Sequence, residues 1–462
     1  MKMKRFIPAA IGLFFSLAAH AQSGDREVCR LGFTYEVDEA SNWGKSRRVV
    51  TRVYPYTPAA EAGLRADDVI EEMDSLSAAG TREVILRINR LSGPVGPLWV
   101  RKDCKPAEAI GEDQLATAFS MYSVETTAER SFTCPFVTKV DTTDLACYRS
   151  FAFAPADGQN LSREETINAC IAETLRGKGL SLDEENPDFV VETFYSFHKN
   201  PHYAVRRTSS SKGVSGGVYR YDFGLGEMRK FPFLDPGSAE SEAVYLLRFG
   251  LRFVDKRPSP ARVLWECEAV EMLLAPYLPE TYAKSHIPLM CMQYPRVRYG
   301  GNVLFMADLK SYNHTGILYD VNRLERVAGV VEDSPADRAG IRAGDVIEKI
   351  DNLRLNRTAG EYAAAYKQFI LNTLSLRNPD TRFTDRNGFR FCMHWKEFNY
   401  PRVSEALRDP AYSGVFSYLY KFTPYVNPSG VNQCLFLLRR GKTEVSILLR
   451  PEVRTTHNVW IP

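Results

Sequence analysis

The sequence predicts a multidomain α+β protein, and three observations carry that reading. The chain has 462 residues, too many for one ordinary domain of about 100–200 residues. A strand–helix–strand pattern occurs twice, once near each end. Between the copies lies a different alternation of strands and capped helices. The composition, 44% hydrophobic and 25% charged, is that of folded protein and excludes collagen-like, low-complexity and disordered classes.

The first 21 residues read MKMKRFIPAAIGLFFSLAAHA. A basic start precedes an apolar stretch from Phe6 to Ala19, and Ala19-His20-Ala21 is a small-x-small cleavage site. This is the pattern of a secretory signal peptide. The apolar run is too short to span a membrane and contains Pro8. No later run reaches spanning length, so no transmembrane segment is expected after cleavage. A periplasmic or secreted protein follows. The net charge of +3 comes from Lys2, Lys4 and Arg5; without them 56 basic residues face 56 acidic ones. A nucleic-acid partner is therefore not expected.

The repeat pairs LGFTYEV (31–37) and VVTRVYPYTPAAEAGLRADDVIEEMDS (49–75) with TGILYDV (315–321) and VAGVVEDSPADRAGIRAGDVIEKIDN (327–352). Valine-rich Val49–Val53 and Val327–Val331 read as strands. Pro58 and Pro335 suit the first turn of a short helix, with Thr57 and Ser334 as N-caps. Gly63 and Gly340 end that helix in a left-handed cap. Asp68-Val69-Ile70 and Asp345-Val346-Ile347 open another strand. Asp67 stands where the second copy has Gly344, which weakens that turn.

The pattern S/T-P-A-x-x-A-G, followed by D-V-I, resembles the PDZ domain in the form common in bacterial envelope proteins. The resemblance implies two PDZ-like, partly open β-barrels with helices, at 22–105 and 296–456. It also implies peptide capture, in which an extended ligand adds a strand to a sheet edge and its carboxylate sits among backbone N–H groups. The matching donors are Leu31, Gly32 and Phe33 in the first copy, and Thr315, Gly316 and Ile317 in the second. Thr315 departs from the usual apolar residue, so the second groove is expected to bind less well. The other groove wall should be a helix, at Arg82–Leu91 in the first copy. In the second, the capping box Thr358-x-x-Glu361 opens a helix to about Thr373. A bulky residue at Gly32 is expected to misdirect the amides and spare the core. Cys29 and Cys104 flank the first module: if its end strands pair they can form a disulfide, and otherwise they are two free thiols.

Residues 106–130 read as a linker. The stretch 131–295 is similar to a small α+β domain of unknown function from bacterial envelope lipoproteins, with a central antiparallel sheet and helices. Its expected elements are strands at Tyr148–Phe153, Asp188–Phe197, Tyr219–Phe223, Val244–Phe253 and Val263–Val270. A helix capped by Ser162-x-x-Glu165 and a second at Pro279–Cys291 complete it.

Catalytic and metal motifs fail on inspection. Gly213-Val214-Ser215-Gly216-Gly217 resembles the nucleophile loop of chymotrypsin-like proteases, but Val214 stands where Asp is usual. Only His198 and His202 precede Ser215 in the mature chain, too near to serve as its base. Pro201 between those histidines keeps them off one helix face, and no third metal ligand is evident. Nine cysteines follow the signal, with no C-x-x-C, and most read as small buried hydrophobes. No cofactor and no metal are expected.

The second module should close with a hairpin over Cys434–Leu449. Before it, at about 376–430, lies an insertion with twelve Phe, Trp and Tyr between Phe383 and Tyr425, read chiefly as packing. The function expected is a non-catalytic exported protein that binds peptide segments or C-termini of other envelope proteins. The alternatives are an accessory or degenerate relative of a PDZ-bearing envelope protease, and a structural protein without ligand.

Overall fold

The computed structural model describes residues 27–38, 47–75, 83–113, 129–141, 143–155, 160–203, 217–235, 237–351 and 433–462, with short pieces between 361 and 406. The expected signal peptide, Ser215 and most of the aromatic insertion lie outside the described residues. Among the described residues no helix is long and apolar enough to cross a membrane.

The amino-terminal unit begins with β1 (Glu27–Arg30), the loop Leu31-Gly32, and β2 (Phe33–Asp38). Then come β3 (Arg47–Val53), helix α1 (Pro58–Glu61), β4 (Val69–Ser75), β5 (Glu83–Arg90), β6 (Gly93–Arg101) and β7 (Asp103–Pro106). Strands β2 to β6 form one sheet in chain order, with β2 at its edge, while β1 pairs with β7. Alternate residues Val84, Leu86 and Ile88 of β5 are buried, as a half-buried strand requires. The helix expected at Arg82–Leu91 is therefore a strand. Val84, Ile85, Ile88 and Leu91 also satisfy a helical period, and pairing with β4 and β6 decides between the two. Gly63 takes φ +81° after α1 and Gly340 takes +83° at the equivalent place, as left-handed caps. Thr57 precedes α1, but its hydroxyl donates to Tyr54 O at 2.6 Å instead of accepting a helix amide. Asp67 adopts the left-handed turn of Gly344, at φ +68°; Lys178 Nζ holds its carboxylate at 2.8 Å.

After β7 the chain makes β8 (Ala109–Ile110), then β9 (Glu129–Cys134) and β10 (Phe136–Val140). The middle unit continues with β11 (Ser150–Phe153), α2 (Leu161–Gly177), β12 (Ser181–Leu182), β13 (Phe189–Lys199), β14 (Val218–Asp222) and β15 (Glu227–Phe231). It closes with β16 (Tyr245–Asp255), β17 (Arg262–Leu273) and α3 (Pro279–Cys291). Its six-stranded sheet runs β10-β17-β16-β13-β11-β12. The expected antiparallel sheet is in fact mixed, because β11 pairs in parallel with both β12 and β13. Helix α2 supplies the crossover that parallel strands need. Its N-cap is Asn160, two residues ahead of the expected Ser162 box. One hydrophobic core, including Trp265, Tyr282 and Phe253, fills the space between sheet and helices. Arg220 and Glu271 are buried within it and joined by two hydrogen bonds, with Tyr282 Oη donating to Glu271 at 3.0 Å.

The carboxy-terminal unit opens with the same order of elements as the first. Strand β18 (Val303–His314), loop Thr315-Gly316, β19 (Ile317–Asp320), β20 (Val327–Val330), α4 (Pro335–Arg338) and β21 (Val346–Ile350) follow in order. A short hairpin of β22 (Arg382–Thr384) and β23 (Arg390–Cys392) belongs to the insertion. Strands β24 (Cys434–Arg440) and β25 (Thr443–Leu449) turn at Gly441, and β26 (Glu452–Trp460) ends the unit. The single sheet of the first unit is here divided between two sheets, β20-β19-β8 and β21-β24-β25. Strand β26 pairs with β18 as β7 pairs with β1. Glu361, Gln368, Phe369, Leu371 and Asn372 are helical in the second copy, where the capping box placed a helix. The two terminal units also touch: Arg52 lies over the Trp460 ring at 3.3 Å and reaches Asp308 at 3.4 Å.

Candidate peptide-binding site

Two glycine loops stand at equivalent places. Gly32 takes φ +89° and Gly316 takes +87°, a region that only glycine enters without strain. Leu31 O accepts from Ala59 N at 3.0 Å, and Thr315 O accepts from Ala336 N at 2.8 Å. Each loop is thus tied to the short helix after the proline. A Cβ on Gly32 would fall inside the Thr57 side chain, and one on Gly316 inside that of Ser334. The expectation that Gly32 tolerates bulk without cost to the fold is therefore corrected.

A second shared device braces both units. Asp68 accepts from Arg90 Nε at 2.7 Å and Nη2 at 2.8 Å, and from the Arg65 amide at 2.9 Å. Asp345 accepts from Arg440 Nε at 2.8 Å and Nη2 at 2.7 Å, and from the Arg342 amide at 2.9 Å. Each arginine also donates to the glycine that caps the short helix, Gly63 or Gly340. These bonds hold the Asp345 carboxyl below its ordinary range, against the upward pull of burial, which is the largest influence on it. The sequence repeat displayed both aspartates but not their partners, because one partner lay in the segment read as a helix.

The loops differ in what they hold. In the carboxy-terminal unit β8 pairs antiparallel with the outer edge of β19, placing Ile110 opposite Tyr319 and Ala109 opposite Asp320. The Val321 amide donates to Glu108 O at 2.9 Å. Two residues further along this register, Glu112 lies beside the glycine loop. Its carboxylate accepts from the Thr315 amide at 2.7 Å and the Gly316 amide at 3.1 Å. The Thr315 hydroxyl donates to its other oxygen in a very short bond, and His314 Nδ1 lies 3.1 Å away. Glu112 is 5% exposed. Burial raises the Tyr319 phenol well above its ordinary value, and the Glu112 charge raises it further. Ile317, the third expected donor, gives its amide to Thr315 Oγ1 at 3.3 Å. Thr315, whose departure from the apolar pattern was read as weakening the nest, gives it an extra donor.

In the amino-terminal unit the edge is open. Strand β2 is the terminal strand of its sheet, and among the described residues no strand covers its outer edge. Tyr35 and Val37 on it are 44% and 51% exposed. No described residue supplies an acceptor to the Gly32 amide. Arg30, which is exposed, stands where the second unit has His314. Cys29 and Cys104 are joined in a disulfide between β1 and β7. With Glu27 they form the one group of metal-ligand type among the described residues, and sulfurs bonded to each other offer no thiolate. His198 and His202 are both exposed.

Comparison with known proteins places a PDZ domain in the carboxy-terminal unit. Residues 326–368 match the PDZ domain model, and residues 136–296 match a domain of unknown function, DUF4136. The crystal structure of a PDZ domain protein from Parabacteroides distasonis is 45% identical, with a TM-score of 0.80, over 95% of this chain and 100% of that one. The chain belongs to the same family of PDZ domain proteins. The PelC dodecamer from Paraburkholderia phytofirmans is 12% identical over 37% of this chain and 98% of that one, with a TM-score of 0.18. No curated protein matches the chain.

Proposed function

We propose that the protein is an exported, non-catalytic binder of extended peptides, built on two PDZ-type units around the middle domain. The observation that carries this reading is the open edge of β2 beside the Gly32 loop. The loop has the backbone conformation that, at Gly316, receives a carboxylate on two amides. An incoming strand would pair with β2, and a terminal carboxylate would meet the Leu31, Gly32 and Phe33 amides with Arg30 nearby. Tyr35 and Val37, both exposed on β2, are the side chains placed to select the incoming segment. The partners are segments or C-termini of other envelope proteins. Export rests on the signal pattern, and a measured mass beginning at Gln22 tests it. The non-catalytic reading rests on the missing base for Ser215.

A peptide array, read with free and amidated C-termini, tests the binding. Free peptides should bind more tightly than their amides, and Arg30→Glu should weaken them while sparing the amides. Equal binding of both forms would sink terminal capture.

A further inference from the structure

We infer that the chain is its own ligand at the carboxy-terminal groove. Residues Glu108–Glu112 form a plug that a competing peptide must displace, with Glu112 standing in for a ligand carboxylate. The inference rests on the peptide-binding reading above and names how the second site is controlled.

Four features agree. The plug runs antiparallel to β19 on the edge left open by β20, as an added peptide strand does. Its register brings a carboxylate, and no other group, to the glycine loop. Four groups at that loop converge on this one side chain: the Thr315 and Gly316 amides, the Thr315 hydroxyl and the His314 ring. In the first unit no described strand lies on the equivalent edge.

The plug is also built to exchange. Only Ala109 and Ile110 form its ladder, and both are half-buried, while Gly111 and Glu112 are buried. A two-residue ladder opens more readily than a core strand, so the carboxylate contacts of Glu112 carry most of the hold. Tethering keeps it bound at rest, because a linked ligand acts at an effective concentration in the millimolar range. A free peptide therefore sees its affinity reduced by the fraction of molecules with an empty groove. Contacts to a carboxylate are charge-assisted, and losing even one shifts that fraction by about tenfold. The ligands admitted are extended segments that bring a carboxylate to Thr315 and Gly316, from a side chain or a chain end.

The test uses the full mature chain as wild type, Glu112→Ala and Glu112→Gln. The probe is a labelled peptide of the sequence Lys105–Glu112 with both ends blocked, beside the same peptide carrying Gln at the position of Glu112 and keeping Glu108. The alanine variant should bind the Glu peptide at least about tenfold more tightly than wild type, and the Gln peptide at least about tenfold less tightly than the Glu peptide. Glu112→Gln should fall between, and it keeps the test alive if the alanine variant does not fold. Without peptide, amide exchange over Ile317–Val321 should be faster in both variants, and added Glu peptide should slow it again. Exchange over Val84–Val100 should not change, which confirms the fold. Unchanged exchange at Ile317–Val321, or equal peptide affinity in wild type and variants, overturns the plug. If wild type binds array peptides and neither variant gains affinity, peptide capture stands and self-occupancy falls. If no form of the protein binds any peptide, both fall.

Discussion

The packing of Gly32 against Thr57 allows one substitution to be worked through in energy. Gly32→Ala asks a residue with a Cβ to hold φ +89°, at about 1–2 kcal/mol. The same Cβ would fall inside the Thr57 side chain, and such overpacking costs about 1–3 kcal/mol. The sum is about 2–5 kcal/mol of destabilisation in the amino-terminal unit. The two terms separate in a double-mutant cycle with Thr57→Gly. Alone, that change loses the bond to Tyr54 O, about 1 kcal/mol. Together, the overpacking disappears and the backbone term remains, giving a coupling of about 1–3 kcal/mol in the favourable direction. Hydrogen exchange over Glu83–Arg90 reads the opening energy of this unit alone. Additive effects, or a Gly32→Ala cost below about 0.5 kcal/mol, would show that close approach to Thr57 does not set the loop.

Three further outcomes are expected. Arg90→Ala leaves the buried Asp68 with the Arg65 amide but without the guanidinium; the unit should lose about 2–3 kcal/mol, read by the same exchange measurement. Asp255 is held down to about 2, first by hydrogen bonds from Arg257. Because its folded value is depressed, its contribution is present above about pH 4 and is lost as pH falls toward 2. A urea midpoint followed over that range should fall for wild type and change less for Arg257→Gln. Replacing both Cys29 and Cys104 by Ser opens a loop with a sequence separation of 75. That should cost about 4.5 kcal/mol by chain entropy, read as a lower denaturation midpoint with a steeper slope, because the unfolded chain without the crosslink exposes more surface.

Local signals were read correctly where the chemistry is local. Pro58 and Pro335 open short helices, and Gly63 and Gly340 close them, because a fixed φ and a missing Cβ act within one turn. Pro279–Cys291 is a helix with the bounds the sequence suggested, and Gly441 turns the hairpin before β25. Where two periods fit one segment, sequence could not choose. Arg82–Leu91 is such a case, and its sheet neighbours on both sides made it a strand. The central sheet is mixed for a related reason: parallel pairing of β11 is set by the path of α2, not by the residues of β11.

By itself, the sequence determined that the chain carries a duplicated glycine loop with its proline helix, since these depend on backbone conformations a few residues can dictate. It also marked the six residues Leu31, Gly32, Phe33, Thr315, Gly316 and Ile317. Only the tertiary structure decided that Glu112 fills one of these loops while no described residue fills the other. Glu112 lies about 200 residues from Thr315 in sequence, in a stretch whose composition reads as a linker. Nothing in its neighbours signals a partner; a lone glutamate becomes a ligand only when β8 is laid against β19. The Arg90 and Arg440 clamps are of the same kind. An ion pair is specified by distance in space, and that distance exists only once the strands have paired.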